Sequence, residues 1–200
     1  MSFTRDFPRR EPLIEAALNE FVRQGYEQAS LNDILAASGV SKGKFYHYFD
    51  SKQALYLGLV ELLIQRKKEH FAANPVGEQK GFFSTLRAQL DAGQRFALAQ
   101  PDLYRFSQAF LRERGAPIYT VVMETYGLGG DSAVGQLVAA YHARGAFAES
   151  LSLEFVTRAV LLVLNGLPQL LDMSSPEDLN AHLDELMGFL ERGLGRDDTR

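Results

Sequence analysis

Apolar side chains recur at three- and four-residue spacing along almost the whole chain, and the strict alternation that marks half-buried strands is scarce. The pattern predicts an all-α protein. Leu13, Ile14, Ala17, Leu18, Phe21 and Val22 form one face of a first helix over Pro12–Gln24, with Pro12 suited to a first turn and Gly25 to a C-terminal stop. Ser30 is placed to cap a short second helix over Leu31–Ala37, where Asp33 meets free backbone N–H groups. Ser38-Gly39-Val40 then supplies a sharp turn, because glycine accepts the left-handed conformation. Ser41 caps a third helix that runs to Tyr48. Asp50 caps a long fourth helix reaching Phe71 or Ala72, with Gln53 completing a capping box.

Asn74-Pro75 and Gly77 break the pattern. Further helices are predicted near Gln79–Gln100, Asp102–Arg114, Pro117–Arg144, Leu151–Asp172 and Pro176–Gly193. Gly127-Leu128-Gly129-Gly130 should kink or split the helix that carries it. Leu151–Leu171 is apolar on nearly every side, which calls for burial on all sides. Leu179, Leu183, Leu186, Met187 and Leu190 add an apolar stripe on the last helix. Two such helices from each of two copies make a four-helix interface around a two-fold axis, so a homodimer through the last two helices is expected.

Composition narrows the chemistry. The 200 residues are 46% hydrophobic, enough for a real core. There is no cysteine, which excludes disulfides, thiolate metal sites and cysteine nucleophiles. The longest apolar run, Ala159–Leu164, is far short of a bilayer span, and Met1–Arg10 has no apolar stretch behind its charges. A soluble, cytoplasmic protein without membrane association is the expectation. His70, His142 and His182 are widely separated and lack metal-ligand spacing. No Ser/His/Asp arrangement or paired carboxylates stand in a suitable context, and Gly127–Gly130 has no strand before it to make a phosphate loop. No metal, cofactor or enzymatic activity is expected.

The net charge of −4 argues against a nucleic-acid partner only if it is spread evenly, and it is not. Residues 1–52 hold seven Lys/Arg and seven Asp/Glu, leaving 14 and 18 behind them. Ser41–Lys52 holds three lysines, one histidine and a single Asp50.

That stretch lies inside YEQASLNDILAASGVSKGKFYHYFDSK, residues 26–52. Two short helices joined by a tight glycine turn make a helix-turn-helix. Leu31, Ile34, Leu35, Val40 and Phe45 pack the two together. The second helix is left to present Ser41, Lys42, Gly43 and Lys44 at its N-terminal half, where it can enter a major groove. Gly43 permits close backbone approach, and the two lysines reach phosphates or guanine edges. Tyr46 and His47 can hydrogen-bond phosphate oxygens, while Tyr48 is read as packing. Lys52 falls in the first turn of the fourth helix, a phosphate-favouring place. Arg5, Arg9 and Arg10 resemble a basic arm that could follow a groove, but a frayed, solubilising terminus is the preferred reading, and Arg66-Lys67-Lys68 reads as a solvent-facing run.

The run from Leu31 to Lys52, and above all its GVSKGKFYHYFDSK portion, resembles the signature of the TetR family of transcriptional regulators, over roughly residues 10–60. The resemblance implies a three-helix DNA-binding domain in residues 1–52, the fourth helix (52–72) as linker, and a larger helical domain in 53–200 for effector binding and dimerisation. It implies that Ser30, Ser41, Lys42, Lys44, Tyr46, His47 and Lys52 face double-stranded DNA. Lys44 departs from the pattern, since the family more often carries a small residue or threonine there. The resemblance also implies an effector cavity among the fifth to eighth helices, for which Phe83, Phe106, Phe110, Met123, Tyr126 and Asn165 are the candidate lining. Their aromatic character points to a mostly apolar small molecule. The function implied is a ligand-responsive repressor released from a palindromic operator. The competing reading is a helical small-molecule carrier or enzyme with a vestigial helix-turn-helix, against which stands the intact run of DNA-facing polar residues.

Overall fold

The computed structural model describes residues 3, 7–77, 79–128, 133–170 and 176–196. Among them are ten helices and no strand: α1 (Arg10–Gln28), α2 (Leu31–Ser38), α3 (Lys42–Tyr48), α4 (Lys52–Ala73), α5 (Phe82–Ala99), α6 (Pro101–Arg112), α7 (Pro117–Thr125), α8 (Ala133–His142), α9 (Leu153–Leu170) and α10 (Pro176–Leu194). One isolated antiparallel bridge joins Phe147 to Gly195. The span predicted as one helix over Pro117–Arg144 is two, with α7 ending ahead of Gly127, whose φ is +62°. Gly129 and Gly130 lie outside the described residues, as do Arg5, Leu171 and Ser174-Ser175. Ser51, not Asp50, caps α4: its hydroxyl accepts from the Ala54 N–H at 3.1 Å.

The chain forms two compact units. The first comprises residues 1–75 and 93–128, the second 76–92 and 129–200. The core of the first is aromatic. Tyr56 of α4 stands edge-on to Phe21 of α1 at 4.9 Å and to Phe106 of α6 at 5.2 Å. Burial, reinforced by the Glu113 charge, pushes its hydroxyl well above the ordinary tyrosine range. Phe3 and Phe7, ahead of α1, belong to this core as well: Phe3 lies 4.9 Å from Phe49 and Phe7 stacks on Tyr48 at 4.3 Å. They explain a glycine in mid-helix, where it ordinarily destabilises. A Cβ on Gly58 would come within 3.1 Å of the Phe49 ring and 3.3 Å of the Phe3 ring.

The expectation of a frayed terminus is therefore overturned for Arg9 and Arg10. Arg10 donates to the Phe3 carbonyl at 2.9 and 2.7 Å and pairs with Glu11. Arg9 donates to the Ser38 carbonyl at 3.4 Å.

The end of α1 decides where the next two helices lie. Gly25 interrupts the helix at φ 73°, ψ 171° and one further turn follows to Gln28. Only glycine fits there, since a Cβ would also meet a Glu113 carboxylate oxygen at 2.9 Å. That same oxygen accepts from the Tyr26 N–H at 2.7 Å. Helix C-termini leave carbonyls without intrahelical partners. Here Lys52 Nζ donates to those of Tyr26 (2.7 Å), Glu27 (3.0 Å) and Ala29 (3.0 Å) and lies 4.8 Å from the Tyr26 ring centre. Buried Glu20 completes the junction, accepting from the Ser30 N–H at 3.1 Å and from Arg23 at 2.6 Å. The Arg23 hydrogen bond, and after it the Ser30 N–H, hold its carboxyl below the usual range against the opposing effect of burial.

The second unit packs α8, α9, α10 and the first part of α5 around Phe82, Phe147, Val156, Val160 and Leu190. Phe82 stands edge-on to Phe147 at 4.8 Å. Arg87 ties α5 to α10 through Asp184 at 2.7 Å and also pairs with Asp91. Burial of α9 on all sides does not hold within one protomer. Val156 and Val160 are enclosed, but Phe155 is 55% and Leu162 75% exposed.

Two outcomes follow. Phe3→Ala empties a packed aromatic site and should lower unfolding stability by about 3 kcal/mol, read as a lower denaturation midpoint; a parent-like midpoint would mean the segment ahead of α1 is not part of the core. Lys52→Met strips three carbonyls of their donor and should lower stability by about 2 kcal/mol, visible as a lower melting temperature.

Candidate nucleic-acid interface

Helix α3 is seven residues long, too short to persist alone, and three local devices hold it. Ser41 caps it, its hydroxyl accepting from the Lys44 N–H at 3.3 Å. Phe45, fully buried, stacks on Phe49 at 5.7 Å. The turn before it is locked by Ser38, whose buried hydroxyl donates to the Leu35 carbonyl at 3.2 Å and accepts from the Val40 N–H at 3.4 Å. Gly39 takes φ +66° in that turn, and the Arg9 guanidinium lies so close above it that a Cβ would be 2.8 Å from Nη1.

Phe45 is the one buried residue of α3. Ser41, Lys42, Gly43, Lys44, Tyr46 and His47 are all exposed. Tyr46 is 46% exposed, a large ring held in water on a short cationic helix. The side chains of Lys42, Lys44, Tyr46 and His47 make no hydrogen bond or ion pair with the described residues. Gly43 faces open space: nothing lies within 4 Å of where a Cβ would stand. The protein's own packing thus gives no reason for a glycine there. Tyr48 is half-buried through its stacking on Phe7.

Two residues placed with this group by the sequence have other duties. Ser30 caps α2, accepting from the Asp33 N–H at 3.3 Å, which leaves its hydroxyl hydrogen available to an outside acceptor. Lys52 is a correction. An ammonium has three donors, and all three are engaged by the carbonyls at the end of α1, so none remains for a phosphate. Arg9, read from the sequence as part of a frayed arm, is held at the turn between α2 and α3, a placement the sequence reading missed. The signal available was the pair Phe3 and Phe7, apolar and four apart ahead of α1, which anchors the segment carrying it.

The six candidate effector residues are divided between the units. Phe106 is fully enclosed against Tyr56, and Phe110 stacks on Tyr119 at 4.9 Å. Met123 is half-buried. Tyr126 donates from its hydroxyl to the Leu57 carbonyl at 2.7 Å, and burial, aided by the Glu61 charge, pushes its pKa up to about 12. These four belong to the first unit; Phe83 sits in the core of the second, and Asn165 is exposed on α9. An open cleft of about 380 Å³ in the first unit, between Ile14, Leu18, Leu62 and Leu103 with Arg10 and Arg66, includes none of the six.

Residues 13–59 match the family described as bacterial regulatory proteins, tetR family. The transcriptional repressor DhaR of Mycobacterium sp. (strain GP1) is 30% identical over 91 residues, 42% of this chain and 46% of that one. The A-factor receptor protein of Streptomyces griseus is 34% identical over 87 residues, 44% of this chain and 28% of that one. The chain thus spans less than half the length of these curated relatives. Over its whole fold it is similar to a TetR family transcriptional regulator from Chloroflexus aurantiacus, with a TM-score of 0.79, 25% identity and 96% of each chain covered. The matched stretch contains α2, the locked turn and α3 in full, so residues 13–59 are a tetR-family DNA-binding segment by their sequence, and the likeness to the Chloroflexus structure extends through the helices behind it.

Proposed function

We propose that this protein is a ligand-responsive transcriptional repressor that binds a palindromic operator as a homodimer and releases it when a small, mostly apolar effector binds. In this reading residues 1–52 read DNA, α4 connects, and residues 53–200 carry effector binding and dimerisation. It works in the cytoplasm by occupancy, with no catalytic step. The observation that carries the proposal is the outer face of α3: two lysines, a tyrosine and a histidine that the fold supports but does not use, beside a glycine whose missing side chain serves no internal contact. Lys42 and Lys44 would neutralise phosphates or read guanine edges, Tyr46 and His47 would hydrogen-bond the backbone, and Gly43 would let the helix approach closely. Ser30 and Ser41 would donate their hydroxyl hydrogens to phosphates at the two helix starts.

The repressor and effector parts draw on the relatives, one named a repressor and another a receptor. The dimer draws on exposed apolar side chains. Phe155 and Leu162 on α9 and Phe189 on α10, the last 62% exposed, are large groups left in water, as a helical interface between copies requires. Pairing two α3 helices about a dyad would address half-sites about 34–36 Å apart.

A mobility-shift titration against DNA flanking the gene tests the interface. Lys44→Ala should weaken binding and reduce the log–log salt slope by about 0.9 with no change in melting temperature. Gly43→Ala should also weaken binding, yet raise stability by at most about 0.5 kcal/mol, because alanine loses less backbone entropy on folding and its Cβ meets nothing within 4 Å. Parent-like binding by both variants would move the interface off α3. For assembly, Leu162→Arg should leave the protomer folded but convert dimer to monomer in sedimentation; an intact dimer would place the interface elsewhere.

A further inference from the structure

The inner face of α4 changes character partway along the helix. Tyr56, Val60 and Leu63 follow one another at four and three residues and are buried. Continuing the same register, the next two positions are Lys67 and His70, where another pair of apolar residues would ordinarily stand. Both are turned inward to a degree their flanking charges are not: Gln65, Arg66, Lys68 and Glu69 are exposed, whereas Lys67 and His70 are partly buried. This corrects the reading of Arg66-Lys67-Lys68 as a uniformly solvent-facing run.

Among the described residues neither group finds a negative partner. His70 Nε2 is enclosed and has no hydrogen-bond partner among the described residues. Lys67 forms no ion pair with any described residue. Burial holds its ammonium below the ordinary lysine range. Glu69, the neighbouring acid on the helix, is engaged by Gln65 at 2.9 Å and Arg66 at 3.2 Å. What the two basic groups share is the ring of Phe96 on α5, itself buried. Lys67 Nζ lies 5.8 Å from its centre and the His70 ring stands edge-on at 5.5 Å. All three residues belong to the first unit.

A partly desolvated cation and an enclosed imidazole nitrogen are both unfavourable unless something supplies acceptors. We propose that Lys67 and His70 form an anion-binding site that takes the carboxylate of a small organic acid, with the buried Phe96 ring behind the two groups holding them in place. A carboxylate suits the pair because it offers two oxygens, one for an ammonium proton and one for the Nε2–H. A phosphate monoester carries more charge and more acceptors than these two donors satisfy. The proposal rests on the reading of the protein as ligand-responsive, and it gives the effector an acidic end.

The test uses the full chain, octanoate as probe and octanol as its uncharged counterpart. Octanoate should raise the parent's melting temperature and shift the His70 imidazole resonances, and octanol should do so far less. Lys67→Met should weaken octanoate binding at least tenfold. With its unpaired cation gone, the ligand-free variant should also melt a few degrees higher, about 2–4 °C, a gain not expected of a lysine that merely reaches water along an apolar surface. His70→Phe is the second variant and should also weaken octanoate at least tenfold. The site is overturned if octanoate fails to bind the parent, if octanol matches it, or if both variants bind octanoate like the parent. Operator binding by the ligand-free parent is a separate measurement: its failure sinks the regulator reading, while failure with octanoate removes the anion site alone.

Discussion

The last carbonyls of an α-helix have no intrahelical N–H from which to accept a hydrogen bond, and this protein settles the end of its first helix with a side chain from its fourth. The Lys52 ammonium draws the carbonyls of Tyr26, Glu27 and Ala29 to one point, and the ring of Tyr26 covers it. Glu20 from within α1 takes the first N–H before α2, and Glu113 after α6 takes the N–H at the Gly25 break. The start of α2 is thereby fixed by charged groups whose hydrogen bonds are stronger than neutral ones. Because α2 positions the Ser38 turn, and the turn positions α3, the orientation of the outer face of α3 descends from this junction.

Local chemistry in the sequence was sufficient for α2 and α3 and their starts. Ser30 and Ser41 are caps in the structure because short hydroxyl side chains at those places have N–H groups within reach. Asp50 and Ser51 were equally able to cap α4 by type, and the choice fell one residue later, with Phe49 buried and Asp50 left in solvent. Partners distant along the chain were the illegible part. Nothing near Lys52 announces carbonyls 23 to 26 residues earlier. Nothing near Arg10 announces that the Phe3 carbonyl will be held, since a charged residue near a terminus reads as solvated unless its long-range neighbour is known.

Two helix faces show how a correct pattern can still mislead about burial. The sequence of α9 is apolar all round, and a single protomer covers only part of it, leaving Leu162 in water. Position 67 on α4 carries a charge in a run of charges, and only its register with Val60 and Leu63 shows that it turns inward. In the first case the pattern reports surface that one copy cannot satisfy; in the second, residue type hides what spacing reveals.

That α3 is held by its cap, its turn and one buried ring has an evolutionary consequence. Five of the exposed residues, Lys42, Gly43, Lys44, Tyr46 and His47, make no hydrogen bond or ion pair that holds the described fold, so substitutions among them change the helix's outer face while leaving the protein's thermodynamic reserve nearly intact, whereas Ser41 is bound to its capping role. Under the proposed function, a lineage carrying this arrangement would drift from one target sequence to another through viable intermediates, each folded, differing only in the lettering of a surface the interior never sees.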